Sequence, residues 1–138
     1  MSQLKTHADI SVFLSENGYN VTEEEGILII QDEDELNIFA VVDDTQIEFM
    51  INLCSINNLD TTRLEKIYES LLDQNTGILP TCFGIDSSNP TDKQLVLVDS
   101  LATENLDANE LLLSLDSLAV NVITTHELLL PYLKTAVS

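Results

Sequence analysis

Positive charge is what this chain has least of. Five Lys and Arg stand against 24 Asp and Glu, a formal net charge of −19 at pH 7. Such a surface repels phosphate backbones, so direct binding of DNA or RNA is not expected. Anionic lipid headgroups are repelled for the same reason. Tryptophan is absent and aromatic residues make up 5% of the chain, too few rings for the stacking platforms that hold single-stranded nucleic acid. No apolar run approaches the roughly 20 residues of a membrane-spanning helix, so no direct membrane insertion is expected. The opening stretch Met1–His7 has no apolar core of signal-peptide length. Two cysteines, Cys54 and Cys82, sit apart in apolar strand-like contexts. They read as buried reduced thiols of a cytoplasmic protein, and a disulfide would require the fold to bring them together.

Catalytic patterns are missing as well. The four glycines, Gly18, Gly26, Gly77 and Gly84, are isolated, so no phosphate-binding loop is formed. The two histidines, His7 and His126, have no second His or Cys at zinc-ligand spacing. His126-Glu127 is followed by three leucines rather than by the second histidine of a zinc-protease helix. A Cys82–His126 dyad has no local motif behind it. The run Asp32-Glu33-Asp34-Glu35 lacks the alternation and central glycine of a calcium loop. Neighbouring strand residues point to opposite faces, so only alternate carboxylates can converge. The run reads as a solvated turn, and so do Glu23–Glu25 and Asp43–Asp44. The basic residues Lys5, Arg63, Lys66, Lys93 and Lys134 are scattered, and Arg63 and Lys66 are expected to pair with local carboxylates. The reading therefore names no catalytic residue, no metal ligand and no cofactor, and the chain is not expected to be an enzyme.

What the chain does have is a globular composition: 138 residues, 44% hydrophobic and 21% charged. That length suits one domain, residues 1–138, able to bury roughly two-thirds of its unfolded surface. A short amphipathic helix is expected from Thr6 to Asn17, with Ile10, Phe13 and Leu14 inward and Gly18 as its C-terminal cap. An antiparallel meander of three to four strands follows: Tyr19–Thr22, Ile27–Ile30, Leu36–Val42, and a strand in which Ile47, Phe49, Ile51 and Leu53 alternate with Glu48, Met50, Asn52 and Cys54. Leu64, Ile67, Tyr68, Leu71 and Leu72 recur at helical spacing, with Gly77 placed past the end. Thr62 with Glu65 has capping-box spacing, and Asp60 is an equally good N-cap. A β-hairpin, Thr81–Asp86 with Gln94–Leu101, turns at Ser87–Asp92.

A long C-terminal helix begins near Asp107. Leu111, Leu112, Leu115, Leu118, Ala119, Val122, Leu129 and Leu133 form its main stripe. Leu113, Val120 and Ile123 widen the apolar surface beyond one face, which suits a helix covered on one side by its own sheet and on the other by a partner. The competing reading buries the whole helix in its own domain. Val120–Thr125 is rich in β-branched residues, and Thr124 with Glu127 has the spacing to cap a separate last helix, so a break there is the alternative to one continuous helix. The fold class is α+β, with helices packed on an antiparallel sheet.

The segment Leu79-Pro80-Thr81-Cys82-Phe83-Gly84-Ile85, placed between a helix and a hydrophobic strand, resembles the YjfI-like family of uncharacterised bacterial proteins, as does the Leu-rich final helix. The order of elements along nearly the whole chain is similar to the type III secretion chaperone-like fold, also seen in YbjN-like proteins. That resemblance implies a small acidic homodimer that binds an unfolded segment of a partner. The YjfI-like resemblance implies a role in envelope stress beside a phage-shock-protein-A-like protein, and it brings no catalytic residues.

The function expected is a non-enzymatic protein-binding adaptor or chaperone-like dimer, with Leu113, Val120 and Ile123 as candidate partner-binding residues. Its acidity selects a basic or amphipathic partner segment, unless acidity serves solubility alone. The alternatives are an acidic DNA-mimic inhibitor, which needs carboxylates at phosphate-like spacing along one face, and a carboxylate-based metal-binding protein.

Overall fold

The computed structural model describes residues 4–34 and 36–134. Helix α1, His7–Glu16, starts at a capping box: the Thr6 hydroxyl accepts the Asp9 N–H, and the Asp9 carboxylate accepts the Thr6 N–H. It ends where Gly18 takes φ +92° and the Tyr19 N–H returns to the Leu14 carbonyl at 3.0 Å. Strands β1 (Asn20–Glu24) and β2 (Ile27–Gln31) are joined by two residues, Glu25 and Gly26, both at positive φ. That is the backbone a tight two-residue hairpin requires. Strands β3 (Asn37–Val42) and β4 (Gln46–Ser55) complete the meander. After two 3-10 turns come α2 (Leu64–Ile78), β5 (Cys82–Asp86), β6 (Gln94–Ala102) and α3 (Ala108–Leu129), which leads into a 3-10 turn at Leu130–Tyr132.

The six strands form one antiparallel sheet in the order β1-β2-β3-β4-β6-β5. Four strands of meander rather than three, and one hairpin, account for all of them. Across the meander the register sets Leu28 opposite Ala40 and Ala40 opposite Phe49. Leu28, Ile30, Ile38, Ala40, Ile47 and Phe49 are all buried, and the pleat places them on one face.

The chain divides into two compact units. The first runs through Ile51 and adds Asp99–Asp116. Besides the meander it carries a buried polar pair: the Asp99 carboxylate accepts the Ser114 hydroxyl at 2.7 Å and the Ser100 N–H at 2.7 Å. Thr103 pins its own turn by donating its N–H to the Thr45 carbonyl and its hydroxyl to that of Asp44. The second unit is Asn52–Val98 with the segment from Ser117 onward. Its core is Ile56, Leu59, Ile67, Leu71, Leu95 and Leu129, flanked by Leu64, Tyr68, Phe83 and Tyr132. The boundaries fall inside β4, β6 and α3, so each of these elements belongs partly to both units.

Three open points of the sequence are resolved by local chemistry. Asp60, not Thr62, closes the approach to α2, its carboxylate accepting both the Thr62 N–H and hydroxyl. Gly77 lies inside α2, which runs on to Ile78. The chain leaves the helix at Leu79, ψ 144°, where the following Pro80 disfavours helical backbone. Helix α3 is continuous through Thr124. The hydroxyls of Thr124 and Thr125 turn back to the carbonyls of Val120 and Asn121, which satisfies them without interrupting the helix.

Candidate functional site

Helix α3 opens with the Asp107 carboxylate accepting the Asn109 N–H at 2.7 Å, an N-cap interaction. Leu111, Leu115, Leu118, Val122 and Leu129 are buried. With 3.6 residues per turn these five fall within an arc of about 60°. Leu113 and Val120 fall on the opposite side of the same helix and Ile123 about 60° round from Val120, at 67%, 61% and 63% exposure. Val120 and Ile123 are one turn apart, and Leu113 lies about two turns before Val120. The widened apolar surface read from the sequence is therefore solvent-facing within the chain.

The acidic runs have a different place. Asp32 closes the β2–β3 turn by accepting the N–H groups of Asp34 and Leu36; Glu35 lies outside the described residues, as do Met1, Ser2 and Gln3 of the opening stretch. The Asp43 carboxylate accepts the N–H groups of Thr45 and Gln46 at 2.7 and 2.8 Å and the Thr45 hydroxyl at 3.0 Å. These backbone donors, with the hydroxyl, hold its carboxyl below the usual carboxylate range. Asp60 and Asp86 are lowered the same way, by Thr62 and Ser88. The carboxylates of Asp32, Asp43, Asp60 and Asp86 are thus engaged in building their turns. Among the described residues, no group of three or more His, Cys, Asp or Glu is placed to hold a metal ion.

The remaining candidates have different settings. Cys54 and Cys82 are free thiols, and burial pushes the Cys54 thiol up, away from the thiolate a nucleophile needs. His126 is exposed on α3. His7 meets Glu23 at 3.2 Å. Arg63 lays its guanidinium over the Tyr132 ring, 4.6 Å from the centroid, with its charge also acting on Asp60. A shallow depression of about 540 Å³ on the first turns of α2 interleaves Arg63 and Lys66 with Glu65 and Glu69. It offers no nucleophile–base pair and no single sign of charge.

One surface escaped the sequence reading. Opposite the buried face of the meander, Thr22, Ile29, Phe39 and Met50 stand side by side across β1, β2, β3 and β4. Ile29, Phe39 and Met50 are half-buried, while Ile27 and Val41 in the next row are 38% and 44% exposed. The signal for it was present: β2 and β3 are apolar at consecutive positions, where a sheet with one solvated face should alternate.

The CesT_Tir_1 family model matches residues 3–135. The chain belongs to that type III chaperone-like family. Among solved structures it is similar to the crystal structure of YbjN from E. coli, with a TM-score of 0.67 at 13% identity, covering 94% of this chain and 95% of that one. No curated protein matches it in sequence. The likeness to YbjN is one of fold. The family match bears out the broader, chaperone-like resemblance and leaves the narrower YjfI-like one, built on Leu79–Ile85, as an expectation. Among the described residues no helix is long and apolar enough to cross a membrane.

Proposed function

We propose that this protein is a non-enzymatic, chaperone-like adaptor of the cytoplasm that works as a homodimer and holds a basic or amphipathic segment of another protein. The observation that carries the reading is the two-sided character of α3: one side is buried, while Leu113, Val120 and Ile123 on the other are more than three-fifths exposed. Large apolar side chains set in one arc of a helix lose water when a second surface covers them. Membership of a type III chaperone-like family supports a protein rather than a small molecule as the ligand. The net charge of −19 supports a basic partner segment. The resemblance of Leu79–Ile85 to the YjfI-like family is what suggests a place in envelope stress beside a phage-shock-protein-A-like partner.

The test is light scattering of the purified chain beside Val120→Asp and Ile123→Asp variants, with capture of partners by each. The wild type is expected at twice the monomer mass. Either variant is expected to run as a monomer with an unchanged circular dichroism spectrum. A monomeric wild type that captures no protein would overturn the reading.

A further inference from the structure

We infer that the outer face of the β-meander is the seat for a short amphipathic helix whose apolar stripe is flanked on both sides by lysine or arginine. The inference rests on the adaptor reading and names where, and with what chemistry, the partner segment is held.

The face is organised by register. In one row Ile29, Phe39 and Met50 lie side by side on three neighbouring strands. In the next row Ile27 on β2 has Glu24 as its partner on β1, and Val41 on β3 has Glu48 as its partner on β4. Continuing the β2–β3 register, which pairs Leu28 with Ala40, sets Ile27 opposite Val41. The row therefore reads Glu24, Ile27, Val41, Glu48 across the four strands: two apolar side chains in the middle and an exposed carboxylate at each side. The other row adds apolar contact at its centre. Asn20, Gln31 and Asn37 close the patch with polar groups.

Size and charge select the occupant. Strands lie about 4.8 Å apart, so the four-strand row spans roughly 14 Å, and successive same-face rows are about 7 Å apart. An apolar strip of those dimensions is far below the roughly 800 Å² per partner of a stable protein–protein interface. A second copy seated face to face here is disfavoured further, because it would set its own Glu24 and Glu48 against the exposed carboxylates of this row. A helix about 10 Å wide fits over β2 and β3. Its apolar stripe would cover Ile27, Ile29, Phe39 and Val41, and cationic side chains on either flank would reach the two carboxylates with their alkyl stems on the sheet. A helix also satisfies its own backbone, which a strand lying on a sheet face does not.

The probe is a synthetic 14-residue helix with a leucine stripe flanked by lysines, fluorescently labelled and titrated with the full chain by anisotropy. Saturable binding is expected. The double variant Glu24→Lys/Glu48→Lys, two exposed positions, is expected to weaken it by about tenfold or more, and Val41→Lys to do likewise. The variant Glu65→Lys/Glu69→Lys makes the same change in net charge on α2 and is expected to bind as the wild type does. A peptide with glutamates in place of the lysines should not bind.

Equal losses for the two double variants would mean unspecific attraction and overturn the proposal. So would absence of binding to the lysine peptide, or a dimer in light scattering that Val41→Lys alone dissolves, which would make this face a contact between copies. If the peptide depends instead on Ile123→Asp, this seat is wrong while the adaptor reading stands. If partners are captured by neither surface, both fall.

Discussion

A single carboxylate can define a turn here, and Asp43 shows how. Three donors converge on one of its oxygens, two of them backbone N–H groups, so the ionised form is preferred in the folded chain. The sign follows. A carboxyl whose folded pKa is lowered stabilises the fold above its unfolded value, about 3.9 for aspartate, and that contribution is lost as pH falls through the folded value. Asp43→Asn is therefore expected to lower the urea midpoint at pH 7. The gap from the wild type should shrink as pH is taken from about 5 to about 3. A gap that stays constant over this range would mean that the ionisation of Asp43 does not contribute to stability. Glu25 illustrates the residue scale differently. Its acidity reads as a solvated run in sequence, yet its position is set by a positive φ of 52° beside Gly26, in a two-residue turn that fixes the β1–β2 register.

At the scale of elements, α3 divides its residues between a buried side and an exposed one. Leu118→Ala removes a fully buried side chain and is expected to cost about 2–5 kcal/mol in chemical denaturation. Ile123→Ser, at 63% exposure, should change stability by no more than about 0.5 kcal/mol while impairing association. Equal costs would show that the two sides of the helix are not distinct. Much of this level was legible beforehand. The alternation of Ile47, Phe49 and Ile51 announces β4, and the spacing of Leu64, Ile67 and Leu71 announces α2, because each period follows from backbone geometry alone. Gly77 misled because glycine marks a helix end only where φ turns positive, and here the proline after Leu79 ends the helix instead. The Val120–Thr125 stretch stayed ambiguous because the i−4 bonds of Thr124 and Thr125 that accommodate it are invisible to propensity. The outer sheet face was signalled only by the consecutive apolar residues of β2 and β3, because its row assembles residues from β2, β3 and β4 by register, a property of pairing.

For the whole molecule the dominant fact is unbalanced charge. With 24 acidic and five basic side chains, like charges repel across the folded surface more than across the open chain. Raising salt from about 0.01 M to about 0.15 M shortens the screening length from roughly 30 Å to roughly 8 Å. Tm is expected to rise across that range, measured by calorimetry in sodium chloride. An unchanged Tm would mean that the carboxylates are neutralised locally. The passage of β4, β6 and α3 through both compact units carries a further consequence, for how the protein can be taken apart. Neither unit is a continuous stretch of sequence, so no truncation releases one intact. Any cut that removes one unit splits two strands and a helix of the other. The protein is indivisible to deletion mapping, and the proposed surfaces must be tested one side chain at a time.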